Sequence, residues 1–274
     1  MTTKLPVTLG RTQAGGDLRV DLAAAWHTAI QGATRGGKSV LTYRLLGGVA
    51  NRDCVVIAGL DPTGILFAPW RWSPHPEWRW MGPRNPLDAV AVTAALVAEM
   101  DDRIDGLKQS FTDKIEDFDR DCPVIIVVFE EYPGMLEKAD EDDATNGRKP
   151  AERIKPRIQA AMGRLVREGA KVGVRVVILA QRMDAAFVPG SVRDNLGLRI
   201  TLRQEGSDGI RMLHEGQVPP DEMASFARFQ PGQGVYQHPE FGFGFFRTDV
   251  TDYRQYVDRA LRFHPQPTKA DEQQ

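Results

Sequence analysis

The stretch QGATRGGKSV, residues 31–40, constrains this 274-residue chain more than any other. Gly32 is followed by four residues, the last of them Gly36, and then by Gly37, Lys38 and Ser39. This is the spacing G-x-x-x-x-G-K-[ST]. Glycines there let backbone N–H groups approach phosphate oxygens, the lysine reaches the β- and γ-phosphates, and the hydroxyl binds Mg²⁺. The loop requires a strand before it and a helix after it, whose positive N-terminus faces the same anion. Both flanks comply. WHTAIQ (26–31) reads as a strand, and SVLTYRLLGGVA (39–50) as a helix with Val40, Tyr43 and Leu46 at helical spacing. The expected nucleotide-binding segment is therefore Gly32, Ala33, Thr34, Arg35, Gly36, Gly37, Lys38, Ser39 and Val40.

The rest of the chain repeats the alternation of strand and helix. CVVIAGL (54–60), PVIIVVF (123–129) and VRVVILAQ (174–181) are continuous apolar runs, as expected of strands buried on both faces. Residues 86–111 and 151–173 carry apolar side chains at helical spacing, with Gly173 suited to the end of the second helix. LRITLR (198–203) alternates apolar and polar, which predicts a more exposed fifth strand. Strands alternating with helices imply right-handed crossovers and a mostly parallel sheet. The fold class is thus α/β, a RecA-like P-loop NTPase with a central sheet flanked by helices. Residues 1–250 form the expected motor domain, with 1–25 as a lead-in, and 251–274 a C-terminal helix and polar tail disordered after Pro265. Two segments read as exposed loops, the tryptophan-rich 68–86 and the acidic 137–150.

Two further motifs carry chemistry. VIIVVFEEYPG (124–134) is a buried strand ending in acids, the Walker B arrangement. Glu130 takes the metal-side role with Ser39, and Glu131 that of the base that polarises the attacking water. Gln181 ends the fourth strand, and ligands of open parallel sheets sit beyond the carboxyl ends of the strands. It can bond the γ-phosphate or the water. PWRWSPHPEWRW places four tryptophans and two arginines between residues 69 and 80. Such a segment can stack on bases, but packing onto its own domain or onto a neighbouring subunit is the better-founded expectation.

Composition narrows the class. No apolar run approaches the roughly 20 residues that span a bilayer, and the N-terminus lacks a signal-like core. Cys54 and Cys122 flank apolar runs and read as buried free thiols. The five histidines show no metal-ligand spacing. A cytoplasmic protein is expected. The net charge of −2 is not that of a nucleic-acid-coated protein. The charges are uneven, however. Residues 112–143 hold twelve acids and three bases, and residues 148–175 nine bases and two acids. Such blocks are solvated faces or subunit contacts more often than nucleic-acid surfaces.

Together these pieces resemble the FtsK/SpoIIIE family of DNA-pumping ATPases. The likeness starts at VTLGRTQAGGDLRVDL (7–22) and runs through GLDPTG (59–64), LVAEMDDRIDGL (96–107), VVFEEYPGML (127–136), GRLVREGAKVGVRVVILAQRMD (163–184), GSDGIRMLHEG (206–216) and QPGQGVYQ (230–237). The resemblance implies ATP and Mg²⁺ as cofactors, a ring, in the first instance a hexamer, with ATP hydrolysed between subunits, and double-stranded DNA as the partner. Three departures stand out: Glu130 replaces the usual Asp, Thr63 the usual basic residue, and Ala170 the arginine that acts in trans on a neighbour's ATP. Arg167, Lys171 and Arg199 are the candidates to replace that arginine. Lacking the membrane anchor and winged-helix reader of the division motors, the chain reads as a stand-alone motor domain of mobile-element or phage type. The alternative is an ATPase of the same fold that drives protein secretion or assembly. A degenerate nucleotide-binding protein is a third reading, motivated by Glu130 and Ala170.

Overall fold

Alternating side chains of the apolar runs face two separate cores, which is why the runs are continuous. In the computed structural model, which describes residues 2–82, 85–204, 206–214, 217–218, 226 and 228–266, β6 (Val124–Phe129) is buried throughout. Its Ile125, Val127 and Phe129 join one core and Val124, Ile126 and Val128 the other. β4 (Val55–Asp61) and β7 (Val174–Ala180) divide likewise and flank it. The first core is covered by α2 (Pro86–Ser110), α3 (Tyr132–Thr145) and α4 (Ile154–Glu168). The second is covered by α1 (Lys38–Gly47) and α7 (Tyr253–Phe263), which pack on each other.

These strands belong to one ten-stranded sheet of order β2-β1-β10-β9-β8-β3-β7-β6-β4-β5. From β8 (Leu198–Leu202) through β3 (Thr28–Gln31), β7, β6 and β4 to β5 (Arg79–Met81) every ladder is parallel. The other half is antiparallel. The predicted lead-in is a hairpin, β1 (Pro6–Thr12) and β2 (Asp17–Asp21), joined to β10 (Gly242–Thr248) and through it to β9 (Gln233–His238). Two short helices, α5 (Gly190–Arg193) and α6 (Ser207–His214), flank β8. The tail positions 267–274 and positions 215–216 of the quoted motif lie outside the described residues.

Four expectations are corrected. β8 is fully buried, because Leu198, Ile200 and Leu202 face the second core and Arg199 and Thr201 are met by the segment that carries α5 and α6. The described part of the 68–86 segment, 68–82 with 85–86, is not an exposed loop. Trp70, Trp78, Arg79 and Trp80 are buried, and Arg79 donates to the carbonyls of Ile57 and Ser73 at 2.8 and 2.9 Å. Burial pulls its guanidinium down to about 10. The segment packs on its own domain and supplies the edge strand β5. The acidic 137–150 segment lies mostly within α3, where Ala139 and Asp143 are buried. Asp143 accepts from the backbone N–H groups of Ile154 and Lys155 at 2.8 and 3.2 Å and thus caps α4. Cys54 and Cys122 are free but only half-buried.

The basic block is partly paired within the chain, in two cases with the acidic block. Arg148 pairs with Asp142 and Asp143, and Lys155 with Asp140 at 2.9 Å. Arg164 bridges Asp101 and Glu168 at 2.7 and 2.6 Å. Arg175 is buried and donates to the carbonyls of Ala170, Val174 and Ala23. Among the nine bases, Lys149, Arg153, Arg157, Arg167 and Lys171 remain on the surface.

Candidate nucleotide-binding site

The glycine loop leaves β3 at Gln31 and enters α1 at Lys38. It is held open by backbone bonds to a distant strand end. Ala33 N–H donates to the Arg203 carbonyl at 2.8 Å, and Gly232 N–H to the Gly36 carbonyl at 2.9 Å. Gly37 sits at φ 107°, and a Cβ there would lie 2.7 Å from the Gly232 nitrogen. Only glycine permits that approach. α1 has no side-chain cap and no acid in its first turn, so its N-terminal N–H groups are left for an anion.

Around the loop lies a cleft of about 530 Å³ lined by residues 33–40 with Thr63, Glu130, Glu131 and Gln181. The structure thus brings the sequence-predicted residues of three strand ends to one place. Lys38 donates to the Gly32 carbonyl at 2.7 Å, and its ammonium lies 3.6 Å from the Glu131 carboxylate. Glu131 holds a left-handed backbone, φ 43°, at the start of α3. Such a conformation in a non-glycine residue is strained and is sustained by the surrounding fold. It turns this side chain towards the lysine. Glu130 follows β6 directly, and its N–H donates to the Leu60 carbonyl at 2.9 Å. Burial first, then the charges of Glu131 and Asp61, push its carboxyl up to about 7, with Lys38 opposing. Its Oε2 is buried and has no hydrogen-bond partner. A buried orphan carboxylate oxygen in the cleft that Ser39 also lines fits a divalent cation, whose charge would hold Glu130 ionised. Glu130 and Ser39 are the residues that would hold Mg²⁺.

Three contributors escaped sequence reasoning. Asp61 ends β4 fully buried and accepts from Thr63 N–H, Thr63 Oγ1 and Phe67 N–H at 3.0, 2.9 and 3.1 Å. It fixes the loop that walls the cleft. Its signal was the Asp-Pro pair at the end of an apolar run. Gln31, just before Gly32, is completely buried. It donates to Thr201 Oγ1 and the Gly209 carbonyl at 2.9 and 2.8 Å and accepts from Met183 N–H at 3.1 Å. Thr201 in turn contacts His214, and His214 contacts Gln237. Burial holds the His214 imidazole down at about 4. The glycine loop is thereby tied to the backbone two residues past Gln181. The third is α7. Tyr256 stacks on Tyr43 of the cleft wall at 4.8 Å and donates to the Leu66 carbonyl at 2.7 Å. No local pattern announces the Gln31 network or the docking of α7.

Of the three candidates for a trans-acting cation, Arg199 is removed. It is buried in β8 and donates to the carbonyls of Leu196, Leu213 and Arg193. Arg167 and Lys171 are exposed at the end of α4 and in the turn after it. That end of α4 precedes β7, so it lies across the sheet from the cleft.

A parallel sheet with a glycine loop, paired acids and a glutamine at adjacent strand ends defines a P-loop ATPase. The chain belongs to the FtsK/SpoIIIE family, whose model matches residues 2–237. It is 24% identical over 212 residues to the DNA translocase FtsK of Campylobacter jejuni, and 24% identical over 229 residues to that of Listeria monocytogenes. These alignments take in 73% and 77% of this chain but 20% and 28% of the relatives, so the chain spans under a third of their length. Among solved structures, the fold is similar to the pCW3 conjugation coupling protein TcpA with ATPγS. The TM-score is 0.75 at 19% identity, covering 95% of this chain and 70% of that one. It is also similar to the cytoplasmic domain of the type VII secretion ATPase EccC of Thermomonospora curvata. There the TM-score is 0.66 at 18% identity, covering 97% and 32%. Among the described residues no helix is long and apolar enough to cross a membrane.

Proposed function

We propose that this chain is the motor of a ring that moves double-stranded DNA, with ATP bound at Lys38 and Ser39 and hydrolysed by water that Glu131 activates. The observation that carries the chemistry is the convergence of Lys38, Glu130, Glu131 and Gln181 on one cleft. DNA as the substrate rests on the family and on the DNA translocases among its relatives. Mg²⁺, when bound, neutralises charge on the phosphates. The chain's own residues do the rest. Lys38 exchanges its Gly32 carbonyl and Glu131 partners for phosphate oxygens. Glu131, released from the lysine, accepts a proton from the water. Gln181 orients that water or the γ-phosphate. Arg167 and Lys171, too far round the fold to reach their own cleft, are proposed to serve a neighbour's. Such a domain is expected in the cytoplasm, as a hexamer that assembles weakly without ATP or DNA.

The second reading, a secretion or assembly ATPase, is favoured by the likeness to EccC and by the intramolecular pairing of Arg148, Lys155 and Arg164 of the basic block. ATP turnover with and without duplex DNA separates the two. Stimulation by duplex, abolished in Lys38→Ala, supports the DNA motor. Turnover indifferent to DNA, with no duplex binding at low salt in the presence of an ATP analogue, favours the polypeptide pump.

A further inference from the structure

Phe111 makes no sense in an isolated chain. It follows the last residue of α2 and is 96% exposed, the most exposed of the large apolar residues described. Its backbone is left-handed, φ 54°, at a helix-end position where glycine or asparagine is favoured. The chain therefore bears both backbone strain and a bare aromatic ring at one point. Single surface apolar residues are ordinary, but strain and full exposure together point to a ring that is covered in the working state.

The same helix offers a cover at its other end. An apolar hollow of about 210 Å³ lies where α2 begins, walled by Pro62, Trp80, Pro86, Met135, Ala139 and Ile158. An apolar cavity of about 150 Å³ holds a benzene ring, so the hollow accepts a phenyl group. α2 has 25 residues, and at 1.5 Å per residue its ends lie about 37 Å apart. Phe111 cannot reach the hollow of its own chain. A knob and a socket on different surfaces of one molecule make a head-to-tail contact, which generates a ring when the rotation closes.

The surroundings match. The socket adjoins the nucleotide cleft, since Pro62 walls the socket and Thr63 the cleft, and Met135 lies one turn beyond Glu131 in α3. The knob adjoins the exposed cations, since Thr112, Arg167 and Lys171 line one hollow and Ile115 N–H donates to the Lys171 carbonyl at 2.8 Å. Exposed Asp113 beside the knob and exposed Lys138 on the socket rim carry opposite charges. We propose that Phe111 of one copy enters the Trp80–Met135–Ile158 socket of the next, and so delivers Arg167 and Lys171 to that copy's nucleotide. This rests on the ring reading above and gives it a specific contact.

The test is the mass distribution of the full chain across concentration, with ATPγS and duplex DNA, for wild type and Phe111→Gly. Glycine relieves the left-handed strain, so this variant should melt no lower than wild type and bind nucleotide equally well as a monomer. Its self-association should weaken at least about tenfold, the least expected from losing one buried phenyl ring. Lys138→Glu should weaken assembly, and adding Asp113→Lys should restore it. If Phe111→Gly assembles like wild type, the knob is wrong and the ring reading stands. If the charge swap fails to restore assembly, the socket is wrong. If wild type stays monomeric throughout while duplex DNA stimulates its ATPase, the ring itself is refuted and the knob-and-socket contact with it.

Discussion

Replacing Glu130 with glutamine should stabilise the nucleotide-free protein and abolish its Mg²⁺-dependent turnover. The reason is the buried, unpartnered Oε2 and the neighbouring charges of Glu131 and Asp61. They raise the carboxyl from an ordinary 4.5 to about 7. At about 1.4 kcal/mol for each tenfold change in proton affinity, ionising Glu130 in the folded protein costs about 3 kcal/mol. Because the folded pKa lies above the unfolded one, the folded state holds the proton more tightly. Stability is therefore lost as pH rises from 4.5 through 7, and the cost is complete by pH 8. A neutral isostere removes it. With an unfolding entropy of about 2.1 cal/mol/K per residue, a gain of about 3 kcal/mol raises the midpoint of a chain this long by about 5 °C. Thermal unfolding of both proteins at pH 8 and pH 4.5 measures this. The gain should be present at pH 8 and fall to a few tenths of a kcal/mol at pH 4.5. Equal midpoints at pH 8, or a gain undiminished at pH 4.5, would refute the assignment of an uncompensated buried carboxylate.

Glu131→Gln should keep ATP affinity and lose turnover, seen by nucleotide binding beside single-turnover hydrolysis; normal turnover would move the base elsewhere. Gly37→Ala forces an L-residue to φ 107° against Gly232 and should cost at least about 1 kcal/mol in urea unfolding, with loss of nucleotide binding. Gln31→Ala strips partners from buried Thr201, Gly209 and Met183 and should cost about 3 kcal/mol by the same measurement. His27 and His214 are held neutral by burial, both lowered to about 4. Their folded pKa values lie below the unfolded 6.5, so stability should fall as pH drops from 6.5 towards 4, which melting curves across that window would reveal. Reversing the exposed Lys149 and Arg153 tests whether the basic block meets DNA. For every phosphate the variant ceases to neutralise, the slope of log affinity against log salt flattens by about 0.9, and an unchanged slope assigns the block to another surface.

The features legible in the sequence are those set by neighbours along the chain. The glycine loop was readable because φ freedom, strand and helix occur within a few residues of Lys38. The parallel strands were readable because burial on both faces leaves a continuous apolar run, as in 124–129. The acids after β6 and the glutamine after β7 followed from the same geometry, since strands entering one parallel sheet end on one edge.

What the tertiary structure decided are the pairings across long separations. Arg164 meets Asp101 across 63 positions, and Gln31 meets Gly209 across 178. Charge blocks were visible in the sequence, but not that Arg148, Lys155 and Arg164 spend their charge on α3 and α2. LRITLR alternates as an exposed strand does, yet the segment that carries α5 and α6 lies against its polar face, so Arg199 and Thr201 must satisfy themselves internally. The tryptophan-rich segment reads as a surface loop from its prolines, and burial of Arg79 against three carbonyls makes it an edge of the sheet instead. A charged or polar side chain is buried only where distant groups meet its hydrogen-bonding demand, and no local pattern encodes which groups those are.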